Sequence, residues 1–338
     1  MIIGNRNTDE QVLIIAEIGN NHEGNFDNAV RLVHAAADCG VNGVKFQTFK
    51  TELFVNPSDK ERYQRLKSFE LSYSQFMELS ELAHSLGLFF ISTPFDLESA
   101  RFLNSIVDAY KIASGDNDFF PLIDEVVQSG KPLIISTGAS QSDQIKKTVS
   151  YISESWKNKN ILSDLALLHC VSCYPAPEDQ VSLQSIRFLS DNFREYTIGY
   201  SDHTIGIDAA IESVAYGAKI IEKHFTLDKN FSTFRDHQLS ADPTDMREMV
   251  RKIRMVSRMT GTYTKTIQPC ETDMNGIIRR SIAAKDDLKS GHRLSWDDLM
   301  WIRPSSGMRP GNEQDILGKI LKRDMKCGEF FTPNDLEW

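Results

Sequence analysis

Short apolar runs alternate with amphipathic segments through the first two-thirds of the chain. In one such segment Ala29, Leu32 and Val33 recur at the spacing of a helix face, and Gly40 ends the pattern. Eight apolar runs have the length of strands: Val12–Ala16, Gly43–Gln47, Leu88–Ser92, Ala109–Ile112, Pro132–Ser136, Leu165–His169, Tyr196–Gly199 and Lys219–Glu222. Strand and helix repeated eight times predict an α/β fold, a (β/α)8 TIM barrel over residues 1–261. On this pattern alone, a doubly wound parallel sheet is the structural alternative.

The rhythm changes after Gly261. Residues 262–278 are a polar linker without clear periodicity. Residues 279–338 contain an internal repeat, in which Leu288–Leu299 matches Met325–Leu336 in its Lys, Gly, Ser/Thr and Asp-Leu positions. Each copy is typical of a short strand, a glycine turn and a capped helical turn, although two similar turns could also coincide. We therefore predict a small β-rich C-terminal domain of roughly 60 residues, whose own core is marginal.

Composition and charge narrow the range of functions. Of the 338 residues, 41% are hydrophobic and 25% are charged, as in an ordinary globular protein. The 38 basic and 47 acidic residues give a net charge of −9, which argues against nucleic acid as a partner. No apolar run approaches the roughly 20 residues of a membrane span. The N-terminal Met1–Arg6 also lacks a secretory signal, so we expect a cytoplasmic protein with no membrane partner.

Cysteine usage indicates reduced thiols. Five cysteines in a chain of this length do not suggest a disulfide framework. Cys170 and Cys173 form the only C-x-x-C pair. A redox or zinc role is an alternative for this pair, but the lack of a second pair favours ordinary thiols.

Reactive side chains follow the apolar runs. Because TIM-barrel active sites lie at the carboxyl ends of the strands, these side chains should share one rim. The set is Glu17, Lys45, Gln47, Lys111, Ser114, Asp116, Ser136, His169, Ser172, Tyr174, Ser201, His203, Glu222 and His224. Lys45 and Gln47 are two apart and point the same way, opposite Phe46. The ammonium groups of Lys45 and Lys111, with serine hydroxyls, suit a phosphate and a carboxylate; separate surface salt bridges are the alternative.

Two histidines end the seventh and eighth runs. Neutral imidazoles of His203 and His224, on neighbouring strands, can share a divalent metal ion and leave positions for water and a substrate oxygen. Two ligands are a weak metal signature, so structural histidines with satisfied hydrogen bonds are an equal alternative.

Seven sequence blocks resemble signature blocks of the sialic acid synthase family. They are Ala16–Gly24, Val44–Thr48, Phe90–Phe95, Tyr110–Gly115, Leu167–Cys170, Gly199–His203 and Ile221–Thr226. Residues 279–338 resemble the antifreeze-like (SAF) domain that these synthases carry. The similarity runs in order along nearly the whole chain.

The resemblance implies a transferase that condenses phosphoenolpyruvate with an N-acyl amino sugar such as N-acetylmannosamine. The products would be a nine-carbon 2-keto acid, that is a sialic or other nonulosonic acid, and phosphate. The resemblance also implies a divalent metal ion at His203 and His224, with manganese foremost and magnesium or cobalt as alternatives. Arg303 matches an arginine that the SAF domain inserts into the active site of the partner subunit, which implies a domain-swapped homodimer.

The resemblance assigns roles to the remaining site residues. It makes Glu17, Lys45 and Lys111 catalytic. It places the following residues at substrate-binding positions: Gln47, Ser114, Asp116, Ser136, Ser172, Tyr174, Ser201, Asp236 and Arg303.

Some positions depart from the family pattern. Asp116 stands where many bacterial members have Glu, and Ser172 where several have Asn. Phe234–Ser240 differs from the version typical of N-acetylmannosamine users. A legionaminic- or pseudaminic-type synthase that uses a 2,4-diacetamido-trideoxy hexose is therefore the alternative. A Schiff-base aldolase with Lys45 or Lys111 as the nucleophilic amine is a more distant one.

Overall fold

The structure is a computed structural model, which describes residues 1–337. The chain forms two compact units, Met1–Gly261 and a second unit that begins at Thr262. Each unit has its own hydrophobic core. Among the described residues, no helix combines the length and the apolar character needed to cross a membrane.

Eight parallel strands of the first unit close into a barrel. A short hairpin precedes them, formed by β1 (Ile2–Ile3) and β2 (Arg6–Asn7). The barrel strands are β3 (Leu13–Gly19), β4 (Gly43–Thr48), β5 (Phe89–Pro94), β6 (Ala109–Ile112), β7 (Leu133–Ser136), β8 (Leu165–Cys170), β9 (Thr197–Asp202) and β10 (Ile220–His224). Strand β10 returns to pair with β3, so the sheet has no edge. The (β/α)8 prediction is confirmed, and the doubly wound alternative, which requires an open sheet, is wrong.

Helices connect the strands of the first unit. They are α1 (Phe26–Asp38), α2 (Thr51–Phe54), α3 (Lys60–Phe69), α4 (Tyr73–Ser85), α5 (Leu97–Leu103), α6 (Phe120–Val127), α7 (Ser142–Lys159), α8 (Gln184–Asn192), α9 (Asp208–Ser213), α10 (Arg235–Leu239) and α11 (Pro243–Thr260). Helix α1 shows how the sequence forms them. The side chain of Asn25 accepts a hydrogen bond from the Asn28 backbone N–H and caps the helix. The apolar face predicted from the sequence is then buried against the barrel.

Strand alternation sorts the barrel side chains into an outer and an inner core. Outward side chains such as Phe46 pack against the helices. Inward side chains such as Ile15 and Ala109 form the apolar floor of the barrel. Two residues further along the same strands, the inward positions are the buried Glu17 and Lys111. The barrel interior therefore changes from apolar to polar toward the carboxyl ends of its strands.

The second unit is small and rich in β structure. It contains helix α12 (Thr272–Ile278) and an antiparallel pair, β11 (Ser281–Ala284) and β12 (Leu299–Ile302). Its core is a separate cluster of buried apolar side chains: Ile282, Ala284, Leu288, Leu294, Leu299, Met308, Ile316, Leu321, Met325, Phe331 and Leu336.

The two copies of the internal repeat pair with each other in this unit. The backbones of Leu288 and Met325 exchange two hydrogen bonds, of 2.8 and 2.9 Å. Each copy also ends in the same capping box, formed within Ser295–Asp298 and within Thr332–Asp335. The repeat is therefore structural, and the similarity of the two turns is not a coincidence.

A fully buried ion pair joins β9 and β10 on the outer side of the barrel. The Nζ of Lys223 lies 2.9 Å from Oδ2 of Asp202 and donates to the carbonyl of Thr204 at 2.6 Å. The other carboxylate oxygen of Asp202 accepts hydrogen bonds from the Tyr200 hydroxyl and from the backbone N–H and hydroxyl of Thr204. Because Lys223 and Asp202 point outward, their neighbours in sequence point into the barrel. The pair thus fixes the two strands that end in the candidate metal-binding histidines.

We expect Lys223→Met to lower the free energy of unfolding by about 3–5 kcal/mol, because it leaves the Asp202 carboxylate buried without its counter-ion. The control is the double variant Lys223→Met/Asp202→Asn, which removes both charges and keeps an acceptor for Thr204. It should be more stable than the single variant in urea unfolding followed by circular dichroism. A single variant as stable as the wild type, or a double variant no better than the single one, would contradict this role.

Candidate active site

A cavity of about 860 Å³ opens at the carboxyl ends of the barrel strands. Most of the site residues predicted from the sequence line it: Glu17, Lys45, Gln47, Lys111, Ser114, Ser136, Ser172, Tyr174, Ser201, His203, His224 and Asp236. Lys45 and Gln47 face this cavity while Phe46 packs outside, as their spacing predicts. The strand ends therefore bring side chains that are far apart in the sequence into one place.

Three predicted site residues are not among those that line the cavity. His169 lies on β8 with its Nε2 2.7 Å from the carbonyl oxygen of Val181. Asp116 ends the short 3-10 turn Ser114–Asp116, which carries it away from the cavity lining. Burial, with the nearby charge of Asp118, raises the pKa of the Asp116 carboxyl to about 6. Arg303 belongs to the second unit, directly after β12, and is exposed. The substrate contacts predicted for Asp116 and Arg303 stay predictions.

The floor of the cavity holds a cluster of buried charges centred on Lys45. Its Nζ lies 3.0 Å from Oε2 of Glu17 and 3.5 Å from Oε2 of Glu222. It also donates to the hydroxyl of Thr93 at 3.3 Å. Burial alone would lower the pKa of Lys45, but the two carboxylates outweigh it and raise this pKa. Lys45 is therefore a fixed positive charge in the site.

Lys111 enters the same cluster from β6. Its Nζ donates to the Ser136 hydroxyl at 2.6 Å and lies 4.0 Å from Oε2 of Glu222. Burial lowers the pKa of Lys111, and the charge of Glu222 opposes this shift. Glu222 is thus the shared counter-ion of Lys111 and Lys45.

The environments of the two carboxyl groups push their pKa values in opposite directions. Burial raises the pKa of Glu17, although the Lys45 ammonium works against it. For Glu222, burial is outweighed by Lys111 and Lys45, which bring its pKa to about 2. The Ser201 hydroxyl further stabilises the ionised Glu222 through a hydrogen bond of 2.8 Å. Paired groups with separated pKa values are typical of acid–base chemistry, and Glu17 is the one that takes up a proton more readily.

Next to this cluster, the backbone of Gly138 lies close to the hydroxyl groups of Ser114 and Ser172. A Cβ atom at Gly138 would lie 2.4 Å from the Ser172 Oγ and 2.7 Å from the Ser114 Oγ, so no other residue fits without movement. The Gly138 N–H donates to the Ser114 hydroxyl at 3.1 Å. Together with Ser136 and Lys111, these groups offer several hydrogen-bond donors to a phosphate or carboxylate.

His203 and His224 face each other with ring centres 5.5 Å apart. Nδ1 of His203 lies 2.7 Å from the carbonyl oxygen of Val171. A carbonyl only accepts, so Nδ1 carries the proton and Nε2 keeps its lone pair. Burial and nearby positive charges lower the pKa of His224 well below its usual value, which keeps this imidazole neutral. Nδ1 of His224 is buried without a hydrogen-bond partner.

Burial lowers the pKa of His203, but Cys170 and the Val171 carbonyl outweigh it and raise this pKa. A divalent metal ion such as Mn²⁺ fits the free nitrogens of this pair once it displaces the proton of His203. A purely structural role fits His203, whose Nδ1 is bonded, but not His224. Within residues 1–337, no group of three or more His, Cys, Asp or Glu side chains could hold an ion. Water and substrate oxygens would therefore supply the remaining ligands at this pair.

Tyr174 and Asp236 lie beside the histidines. The ring of Tyr174 packs on that of His203 at 4.1 Å between centres. The guanidinium carbon of Arg235 lies 4.7 Å from the centre of the same Tyr174 ring. Oδ1 of Asp236 is buried without a hydrogen-bond partner, although Arg235 Nε is 3.4 Å away. These polar groups can orient a hydroxylated or acylated substrate next to the histidines.

Several residues of the site have no role that the sequence predicts. Glu222 was visible only as a strand end two residues before His224. Asn20 donates to Oε1 of Gln47 at 2.8 Å, and Gln47 Nε2 donates to Glu17 at 3.2 Å. These partners face each other across strands, and the sequence alone carries no direct signal of that register.

The comparisons with known proteins agree on one family. The NeuB family profile matches residues 32–265, and the SAF domain profile matches residues 279–337. An uncharacterised protein of Methanocaldococcus jannaschii is 44% identical, over 97% of this chain and 95% of its own length. The N,N'-diacetyllegionaminic acid synthase of Legionella pneumophila is 38% identical, over 93% of this chain and 92% of its own.

A solved structure shows the same relationship. The N-acetylneuraminic acid synthetase of Leptospira borgpetersenii, crystallised with citrate, has a TM-score of 0.73 and 34% identity; the match covers 80% of this chain and 92% of that one. Family profile, full-length relatives and fold therefore agree with the resemblance of the signature blocks. The chain belongs to the NeuB family and carries a C-terminal SAF domain.

Proposed function

We propose that the protein condenses phosphoenolpyruvate with an N-acylated amino-sugar aldehyde, to give a nine-carbon 2-keto acid and phosphate. The observation that carries the proposal is the buried cluster of Lys45, Lys111, Glu17 and Glu222 beside two histidines that face each other. Curated relatives are synthases of legionaminic acid, pseudaminic acid and N-acetylneuraminate 9-phosphate, which supports this reaction class. N-acetylmannosamine is the simplest sugar of the class, and 2,4-diacetamido-trideoxy hexoses differ from it by a second acetamido group and a deoxy terminal carbon.

The lysines and serines form the proposed site for phosphoenolpyruvate. Lys45 and Lys111 offer two ammonium groups, and the hydroxyls of Ser114, Ser136 and Ser201 offer further donors to its phosphate and carboxylate. Before substrate binds, Glu17 and Glu222 balance both ammonium charges. An incoming anion therefore competes with Glu17 and Glu222 for the two ammonium groups. Because the anion adds negative charge next to Glu17, it raises the pKa of Glu17 further.

The histidine pair belongs to the sugar half of the reaction. A divalent metal ion held by His203 and His224, with Mn²⁺ as our first choice, would supply a Lewis acid for the sugar aldehyde. Tyr174, Gln47 and Asp236 would orient the sugar so that its aldehyde carbon meets C3 of phosphoenolpyruvate. Holding both substrates in this way lowers the entropic part of the barrier.

Glu17 is the proposed acid–base residue. The C3 carbon of phosphoenolpyruvate bonds to the aldehyde carbon, and positive charge develops at C2. A water molecule adds at C2 and gives one proton to the Glu17 carboxylate, which passes it to the alkoxide oxygen of the former aldehyde. The hydroxyl now at C2 gives its remaining proton to the departing phosphate. Phosphate then leaves C2 with the bridging oxygen, and the 2-keto group forms. Lys45 and Lys111 stabilise the phosphate charge during this departure.

The assembly is a second part of the proposal. We propose a homodimer in which Arg303 of one subunit enters the cavity of the other. Among residues 1–337, the Arg303 side chain has no ion pair or hydrogen bond, and a guanidinium suits an anionic substrate. We also place the protein in the cytoplasm.

A Schiff-base aldolase is a second candidate because burial lowers the pKa of Lys111, which favours a neutral amine. The raised pKa of Lys45 argues against the same role for that residue. The hydrogen bond from Lys111 to Ser136 also leaves the amine engaged, so the condensation is the better supported reaction.

The direct test is phosphate release from phosphoenolpyruvate with Mn²⁺ or with EDTA, across N-acetylmannosamine, a 2,4-diacetamido-trideoxy hexose and no sugar. We expect release that requires both the metal ion and one of the sugars. No release from folded, metal-loaded protein with any sugar would contradict the proposal. In that case, a covalent adduct trapped with pyruvate and borohydride would favour the aldolase.

Removal of one histidine tests the metal site. We expect His224→Ala to lower the affinity for Mn²⁺ more than about 100-fold, because even partners outside the ligand set change metal affinity 10–100-fold. Isothermal titration calorimetry without substrate measures it. The control is His84→Gln, a half-exposed histidine on α4. The urea midpoint of both variants should stay close to that of the wild type. Unchanged Mn²⁺ affinity in His224→Ala would contradict the assignment.

A further inference from the structure

One polar residue of the cavity lining has no part in the reaction proposed above. Asn20 follows β3 and lines the cavity together with Glu17, although it is only 5% exposed. A buried amide in such a place needs hydrogen-bond partners among its neighbours. Those neighbours connect Asn20 to Glu17, the proposed acid–base residue.

A bulge at the end of β3 brings Asn20 next to Gln47. The pairing of β3 with β4 shifts by one residue between Glu17 and Gly19. Gly19 has a left-handed backbone, with φ of +53°. A Cβ atom at this position would lie 3.0 Å from Oε1 of Glu17 and 3.3 Å from Nε2 of Gln47. Bulges beside active sites redirect a side chain, and this one gathers three polar side chains at the strand end.

The loop that carries Asn20 is held in place by hydrogen bonds. The backbone carbonyl of Asn20 accepts one of 2.8 Å from the Glu23 N–H. The buried side chain of Asn21 donates to the Phe225 carbonyl at 2.8 Å and to the Ser240 hydroxyl at 3.0 Å. The backbone at Asn20 is therefore fixed, and its side chain has little freedom to point elsewhere.

Two hydrogen bonds in series connect Asn20 with Glu17. Nδ2 of Asn20 donates to Oε1 of Gln47 at 2.8 Å, and Nε2 of Gln47 donates to Oε1 of Glu17 at 3.2 Å. An amide has one accepting end and one donating end. If the Gln47 amide were turned over, its oxygen would face the Glu17 carboxylate and its N–H groups would face those of Asn20. Both contacts would then be repulsive, so Asn20 determines which end of Gln47 faces Glu17.

The oxygen of the Asn20 amide has no partner. Its Oδ1 is buried without a hydrogen bond, which costs about 1–3 kcal/mol of stability. Asn42, a similarly buried residue just before β4, differs. Its Oδ1 accepts from the Ile14 N–H at 2.9 Å, and its Nδ2 donates to Gln11 at 3.4 Å. Asn42 is thus a satisfied structural residue, whereas Asn20 is bonded only at the end that holds Gln47.

Glu17 depends on the Gln47 hydrogen bond once phosphoenolpyruvate is bound. In the free site, Lys45 Nζ lies 3.0 Å from Oε2 of Glu17, and Gln47 holds Oε1. In the proposed reaction the substrate anion competes for Lys45, so the bond to Gln47 is the one that remains. A carboxylate that takes a proton from water and passes it to an alkoxide has to stay within reach of both.

We infer that Asn20 is a positioning residue for Glu17, which acts by orienting the Gln47 amide. The inference rests on the proposed function, in which Glu17 takes up a proton and passes it on. Loss of Asn20 should therefore slow turnover. It should leave the binding of phosphoenolpyruvate unchanged, because Lys45 and Lys111 stay in place.

Steady-state phosphate release by the full-length, metal-loaded protein tests this role. We expect Asn20→Ala to lower kcat about 10- to 100-fold, with an unchanged KM for phosphoenolpyruvate and a urea midpoint close to that of the wild type. Asn20→Asp should lower kcat further, because a carboxylate cannot donate to Gln47 and draws the Gln47 N–H groups away from Glu17. The control is Asn25→Ala in the same loop. It removes the N-cap of α1, which costs about 1 kcal/mol, and should keep the wild-type kcat.

A double variant shows whether Asn20 acts through Gln47. If it does, Asn20→Ala/Gln47→Ala should turn over as slowly as Gln47→Ala alone, because Asn20 has no other connection to Glu17. Two losses of kcat that multiply in the double variant would overturn the inference.

Four further results would overturn the inference while the proposed function stands. They are a wild-type kcat in Asn20→Ala, a higher KM for either substrate at unchanged kcat, a kcat in Asn20→Asp no lower than in Asn20→Ala, and Asn20→Ala protein that no longer folds. No release by the wild type with any sugar is a separate result, which would remove the proposed function and this inference together.

Discussion

Four buried charges at the open end of the barrel, those of Glu17, Lys45, Lys111 and Glu222, constrain the rest of the catalytic unit. A charge taken out of water is stable only if a partner and hydrogen bonds lie close to it. Lys45 has two carboxylates within 3.5 Å, and Lys111 shares one of them at 4.0 Å. These atoms meet only while β3, β4, β6 and β10 keep their places in the closed barrel. The apolar floor and the outer ion pair of Asp202 with Lys223 help to maintain that closure.

The same cluster explains how one cavity can bind two different substrates. Next to Lys45 and Lys111, the carboxylates balance the ammonium charges before a substrate binds, so an incoming anion has to displace a carboxylate. Because its pKa is raised, Glu17 is the carboxylate that is displaced. Glu222, with a pKa of about 2, stays ionised and keeps the two lysines together. At the rim, the apolar side chains of Phe54 and Phe234 lie in the same lining as the guanidinium groups of Arg62 and Arg65. Charge at the base of the cavity thus governs the binding of phosphoenolpyruvate in our proposal.

The sequence predicted the architecture well because strands buried on both faces leave continuous apolar runs, and each of the eight runs overlaps a barrel strand. The sequence predicted which side chains end the strands, but it did not predict which of them contact each other. The contacts of Glu222 and Lys223 with their partners depend on the register of neighbouring strands. The hairpin Ile2–Asn7 was missed because strands of two residues have no period. The apolar cluster that includes Phe49, Val55, Leu66 and Phe69 was missed because segments distant in sequence assemble it. Asp116 stands outside the cavity because a single turn separates it from Ser114.

The fate of the bridging oxygen of phosphoenolpyruvate tests the central claim most directly, namely that water adds at C2 while both substrates are held over the charge cluster. Phosphoenolpyruvate labelled with ¹⁸O at the bridging position would be converted with Mn²⁺ and the preferred sugar, and both products analysed by mass spectrometry. The account predicts that the label leaves with phosphate, because the C2–O bond breaks. Label retained in the 2-keto acid would mean that the O–P bond breaks instead, and would contradict the account.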